Sequence, residues 1–156
     1  MTADLTLLES GLARFDGLPA GFRAGFTTRR LTPDGTSPEE ALRSLADALG
    51  APLVERVRLR QVHGRTVLHA AESLRAGEDV LLGEGDAVVT AEASRLLAVQ
   101  TADCVPILLL DPETGLLAAV HAGWRGTALR ILDPVLDLLE SLGAKPGNLL
   151  ALFGPS

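Results

Sequence analysis

The sequence predicts a mixed α/β (α+β) fold, a β-sheet core covered by helices, on three observations. Apolar runs of strand length recur along the chain, bounded by Gly, Pro and Asp breakers. Two segments, 37–50 and 127–142, carry apolar residues at helical spacing. Between them, Ile107-Leu108-Leu109-Leu110 and Leu116-Leu117-Ala118-Ala119-Val120 flank a turn that holds Pro112 and Gly115, the signal of a hairpin. The chain's single cysteine, Cys104, stands just before the first run, and His121 just after the second. Antiparallel pairing of the two runs would bring them together at the open end.

Each element follows from its own residues. Leu5-Thr6-Leu7-Leu8 reads as a short first strand, 17–21 as a turn, and 22–28 as a strand ending at Arg29-Arg30. Breakers Pro33, Asp34 and Gly35 make 31–36 a loop. Ser37-Pro38-Glu39-Glu40 is a helix start: Ser37 as N-cap, Pro38 at the first helical position, acids in the first turn. Leu42, Leu45, Ala46 and Leu49 continue it until Gly50, with a charged outer face that leaves the helix covering a sheet from one side. Residues 54–62 alternate as a half-exposed strand with Val57, Leu59 and Gln61 on one side, ending at His63-Gly64. Strands are expected at 66–69, 86–90 and 96–99, and the acidic stretch 72–85 reads as loop. Thr127 is the expected N-cap of the second helix, in which Pro134 predicts a kink or two short helices. Leu149-Leu150-Ala151-Leu152-Phe153 reads as a buried last strand.

Composition bounds the function. The length of 156 residues suits one domain, and 47% apolar content excludes intrinsic disorder. A net charge of −6 argues against a nucleic-acid or membrane-surface binder, and no apolar run reaches the roughly 20 residues of a bilayer span. One cysteine excludes an internal disulfide and, with no basic region near Met1, points to a cytoplasmic protein.

His63, Cys104 and His121 each stand at the end of an expected strand. Their gaps of 41 and 17 residues are no local metal signature, and a buried cysteine with two hydrogen-bonded histidines is the plainer alternative. Small residues beside them, Gly64 and Ala122-Gly123, allow close approach to the backbone. Imidazole and thiolate suit Zn²⁺, and three protein ligands would leave a fourth position open, as catalytic zinc sites do. Arg125, next to the helix expected from Thr127, is a candidate anion ligand, and Arg29 a second. Trp124 either stacks on a base or packs in the core. Asp103 either orients a ligand or is a turn acid, Asp86 reads as structural, and His69 as a surface histidine.

Five motifs then carry a resemblance: Gln-Val-His-Gly (61–64), Gly-Asp-Ala-Val-Val-Thr (85–90), Thr-Ala-Asp-Cys-Val-Pro (101–106), His-Ala-Gly-Trp-Arg-Gly-Thr (121–127) and the terminal Gly-Pro-Ser. In order and spacing they resemble the YfiH family, also called the polyphenol-oxidase laccase-domain, purine nucleoside phosphorylase or peptidoglycan-editing-factor family. The resemblance covers the chain from about residue 22 onward. It implies an α/β sandwich with one Zn²⁺ held by a His, a Cys and a second His, matching His63, Cys104 and His121. It further implies purine nucleosides and phosphate as partners, in phosphorolysis of adenosine, inosine, guanosine and methylthioadenosine and in adenosine deamination. Arg29 matches the family pattern, whereas 30–37 departs from it. Family members continue past Gly-Pro-Ser, so the expectation is one domain over 1–156, C-terminally incomplete and prone to self-association.

Three rivals stand beside this reading. Cys104 as nucleophile with His121 as base would make a cysteine hydrolase. A copper oxidase fits the laccase name, but a multicopper centre needs more than three histidines, and the only methionine is Met1. A non-catalytic metal-binding fragment is the third.

Overall fold

The computed structural model describes residues 3–71 and 75–155. They fall into two compact units, Met1–Val54 and Glu55–Ser156.

In the first unit, β1 (Asp4–Leu7), β2 (Leu12–Asp16) and β3 (Gly25–Thr27) form an antiparallel sheet in that order. β2 was not evident in the sequence, and the strand expected over 22–28 is only three residues long. Helix α1 (Pro38–Ala48) begins as expected. Ser37 Oγ accepts from the Glu40 N–H while the Glu40 carboxylate accepts from the Ser37 N–H, a complete capping box. It stops where Gly50, at φ +70°, donates to the Asp47 carbonyl and the Ala51 N–H returns to Ala46.

The second unit holds two sheets. β11 (Leu150–Phe153), β9 (Val105–Leu110), β10 (Leu117–Ala122), β7 (Ala87–Thr90) and β5 (Val67–His69) form a mixed five-stranded sheet in that order. β6 (Asp79–Glu84), β4 (Glu55–Arg60) and β8 (Arg95–Ala98) form a parallel three-stranded one. Alternation along the central strands gives the layering. Ala87 and Val89, Ile107 and Leu109, and Ala118 and Val120 join a core with Val135 and Leu139 of helix α3 (Leu132–Ser141). The residues between them, Val88, Leu108 and Ala119, join a second core with Val57, Leu59 and Leu97 of the smaller sheet. Strands covered on both faces need apolar residues at consecutive positions, which is why β7, β9 and β10 read as unbroken apolar runs. The fold is thus an α/β sandwich, as expected.

Three local expectations are corrected. The stretch 72–85 is not all loop: β6 runs through it, because Asp79 pairs with the buried Arg56 and the acidic residues there serve a sheet edge. Residues 72–74 lie outside the described residues. The second helical segment is two short helices, one of the expected alternatives, but the break comes before Pro134. Helix α2 (Trp124–Ala128) ends where Arg130 takes φ +57°, with Arg130 N–H bonded to Thr127 and Ile131 N–H to Gly126. Gly123 caps α2 rather than Thr127, and Pro134 falls in the first turn of α3, where its missing N–H has no intrahelical partner to lose. Finally, among the described residues β11 pairs with β9 alone, at the sheet edge; Leu152 is buried, whereas Ala151 and Phe153 (60% exposed) are not.

Candidate metal centre

The β9–β10 hairpin has the expected register, with His121 opposite Pro106 and Ala122 opposite Val105. Cys104, immediately before β9, therefore lies beside the C-terminal end of β10. The β7–β10 ladder continues one step beyond Val120 opposite Ala87: the His121 N–H donates to the Asp86 carbonyl at 2.7 Å. Pairing thus puts Asp86 beside His121. The loop after β4 supplies His63.

The donor atoms of His63, Cys104 and His121 lie within 4.8 Å of one another, and the two imidazole rings stand edge to face at 4.7 Å between centroids. His121 is buried at 3% exposure, Cys104 is half-buried and His63 is exposed, so the group opens to solvent on the His63 side. Gly123 makes room for it. A Cβ there would stand 3.0 Å from Cys104 Sγ and 3.3 Å from His63 Cδ2. Two imidazoles and a thiol, gathered at this range around a position no side chain fills, fit a metal ion.

Asp86 is fully buried beneath this group. Its Oδ1 lies 2.8 Å from His121 Nδ1 and accepts from the His63 N–H at 2.9 Å. Its Oδ2 accepts from the N–H groups of Gly64 at 2.7 Å and Val62 at 3.4 Å. Burial alone would raise the Asp86 carboxyl. The hydrogen bonds from His121, Gly64, His63 and Val62 outweigh it and hold the group below the ordinary carboxylate range. Reading Asp86 as structural left out its contacts with His63 and His121. The signal available was an acid directly before an apolar strand, which only the strand register ties to His121.

Burial pushes the Cys104 thiol up, and the neighbouring Asp103 carboxylate adds to the shift by its charge and by a 3.7 Å contact with Sγ. A free thiol there is a poor nucleophile; a cation bound beside it would reverse the balance.

The remaining expected residues are placed as follows. Trp124 is 74% exposed, which removes the core-packing alternative, and the Arg125 guanidinium lies 5.1 Å from its ring centroid. Arg125 is exposed on α2, two residues beyond Gly123. Arg29 belongs to the first unit, where it is exposed and pairs with Asp34 at 3.4 Å. His69 is an exposed residue of β5. Among the described residues, no helix is long and apolar enough to cross a membrane.

Fold and ligand geometry together define an α/β domain with a three-residue candidate metal centre. Residues 31–156 match the family described as multi-copper polyphenol oxidoreductase laccase, and the chain belongs to that family. It is 42% identical over 152 residues to a protein of Deinococcus radiodurans named purine nucleoside phosphorylase, covering 97% of this chain and 57% of that one. It is 39% identical over 121 residues to a protein from an unknown prokaryotic organism named adenosine deaminase RL5, covering 75% of this chain and 47% of the other. The crystal structure of the hypothetical protein YfiH from Bacillus licheniformis superposes with a TM-score of 0.83 at 26% identity, over 97% of this chain and 64% of that one. This chain therefore spans little more than half the length of the relative from Deinococcus.

Proposed function

We propose that this chain carries a zinc-dependent purine nucleoside site. It would cleave adenosine, inosine, guanosine or methylthioadenosine with phosphate, or release ammonia from adenosine. The observation that carries the reading is the His63–Cys104–His121 group, three donors within 4.8 Å with one side open to solvent. The names of the relatives supply the substrate class. Zinc is favoured because a mixed imidazole and thiolate set with a free fourth position is a catalytic zinc arrangement. Three histidines and a single methionine, Met1, are too few for a multicopper centre. When bound, zinc would supply Lewis acidity and a nucleophile near neutral pH.

The protein's own groups take the other roles. His63, Cys104 and His121 would hold the ion, with His121 backed by Asp86. Exposed Trp124 would stack on the purine, and exposed Arg125 would pair with phosphate as a planar two-pronged donor. A reducing compartment such as the cytoplasm would keep Cys104 available as a ligand. The cysteine-hydrolase alternative is disfavoured because burial and Asp103 both push the thiol up.

The test pairs metal analysis of the purified protein with turnover of adenosine and inosine, each with and without phosphate. About one zinc per chain is expected, lost in His63→Ala, Cys104→Ala and His121→Ala, together with nucleoside turnover. Copper in place of zinc would overturn the metal assignment. Zinc without turnover of either nucleoside would reduce the chain to a metal-binding module.

A further inference from the structure

The three ligand residues come from three separate segments, and one side chain outside the group touches two of them. Asp86 Oδ1 lies between the His63 N–H (2.9 Å) and His121 Nδ1 (2.8 Å), while Oδ2 receives the N–H groups of Gly64 (2.7 Å) and Val62 (3.4 Å). Three of these four partners are backbone N–H groups, which only donate. Each carboxylate oxygen therefore acts as an acceptor, and the contact with His121 is satisfied only if Nδ1 carries a proton. A neutral imidazole protonated at Nδ1 leaves the lone pair on Nε2.

The same carboxylate shapes the other histidine. His63 has φ +58°, a left-handed conformation that a non-glycine residue adopts at a cost. Left-handed backbone turns successive N–H groups toward one side, and such a concavity binds anions. Here the anion is Asp86, and the Val62, His63 and Gly64 N–H groups converge on it.

We infer that Asp86 is the positioning residue of this centre: it sets His121 as the Nδ1–H tautomer and holds the His63 loop in its left-handed turn. Two of three ligands are thereby presented before any ion arrives. Asparagine cannot replace it, although it has the same shape. Its amide nitrogen would face either Gly64 and Val62 or His63 and His121, and in both orientations a donor meets donors.

The inference rests on the metal reading of the site, and the test separates the two. The first measurement needs no variant: nitrogen-15 NMR of the metal-free wild-type protein at neutral pH reports the tautomer of His121. Nδ1–H is expected, and a predominantly Nε2–H ring would overturn the inference. The second is zinc affinity by chelator competition, for wild type and Asp86→Asn. A loss of about 10- to 100-fold is expected, the range typical of partners that orient metal-bound histidines. The variant should also lose the single-tautomer signature of His121, which a general loosening of the fold would not selectively alter. Wild-type zinc affinity in Asp86→Asn would overturn the inference. A wild-type protein that shows the Nδ1–H tautomer yet takes up no zinc would sink the metal reading and uphold the tautomer assignment.

Discussion

The Gln61 side chain pairs with the Gln100 backbone as a neighbouring strand would. Its amide nitrogen donates to the Gln100 carbonyl at 2.8 Å, and its amide oxygen accepts from the Gln100 N–H at 2.7 Å. Gln61 stands two residues before His63, and Gln100 four before Cys104, so this clamp ties together the segments that carry two of the three candidate ligands. Gln61→Ala should cost about 1–2 kcal/mol, two modest hydrogen bonds. It should also weaken zinc binding several-fold by freeing one segment from the other. Gln61→Glu should behave at least as badly, since a carboxylate cannot donate to the carbonyl. Urea unfolding and chelator competition read the two effects; undiminished zinc affinity in both variants would mean the clamp does not set the ligand spacing.

The hairpin, and the meeting of Cys104 and His121 at its open end, were legible in the sequence because they depend on local pattern: two apolar runs, a breaker-rich turn, and Cys104 and His121 at the matching ends. The α1 boundaries were legible for the same reason, since Ser37, Pro38, Glu40 and Gly50 act within a few residues. Asp86 was not. Its role depends on β7 lying beside β10, a pairing between segments 35 residues apart that no local pattern encodes. β6 was hidden for a related reason: its acidic residues look like loop until Asp79 meets Arg56 across the sheet. Arg130 hid the end of α2, because the left-handed position there is filled by arginine where glycine would have marked it.

Two glycines near the centre should respond differently to alanine. At Gly123 the new Cβ would crowd Cys104 Sγ (3.0 Å) and His63 Cδ2 (3.3 Å), both side-chain atoms able to give way. Gly123→Ala should therefore fold normally and bind zinc more weakly. At Gly126 the Cβ would meet the Gly64 carbonyl oxygen at 2.8 Å, a backbone atom. Gly126→Ala should lower stability by about 1–3 kcal/mol, as overpacking does. Thermal unfolding of the metal-free forms separates them: equal melting temperatures for the two variants would contradict this division.

Asp111 closes the hairpin turn, and its behaviour with pH can be worked out. It is fully buried, with Oδ1 accepting from the Glu113 N–H at 2.9 Å. Burial alone would raise its pKa. The Glu113 N–H, with weaker contributions from nearby Thr114 and the Lys145 backbone, outweighs that and holds it below the ordinary range. A carboxyl depressed in the folded state stabilises fully above its unfolded value, about 3.9, and loses that contribution as pH falls through the folded value. Asp111→Asn should thus be less stable than wild type at pH 7, with the gap narrowing below about pH 4. Urea midpoints across pH 3–7 test the sign: a gap that widens on acidification would refute it.

Arg125 and Trp124 adjoin the centre without belonging to it, which allows substrate binding to be separated from metal binding. The guanidinium lies 5.1 Å from the Trp124 ring centroid and both side chains are exposed, so the cation–π contact is worth roughly 0.5–1 kcal/mol and leaves Arg125 free to turn toward an anion. A charge-assisted bond to phosphate is worth about 1.5–3 kcal/mol, or roughly 10- to 100-fold in affinity. Arg125→Ala should therefore raise the KM for phosphate by about that factor while zinc content stays at the wild-type level. Arg125→Lys should recover part of it, because the charge returns without the fork. Trp124→Ala should instead raise the KM for the nucleoside, with a smaller effect on phosphate. Steady-state kinetics with each substrate varied in turn, alongside zinc analysis, distinguishes these outcomes. An Arg125→Ala variant with unaltered phosphate dependence would place the anion site on another residue.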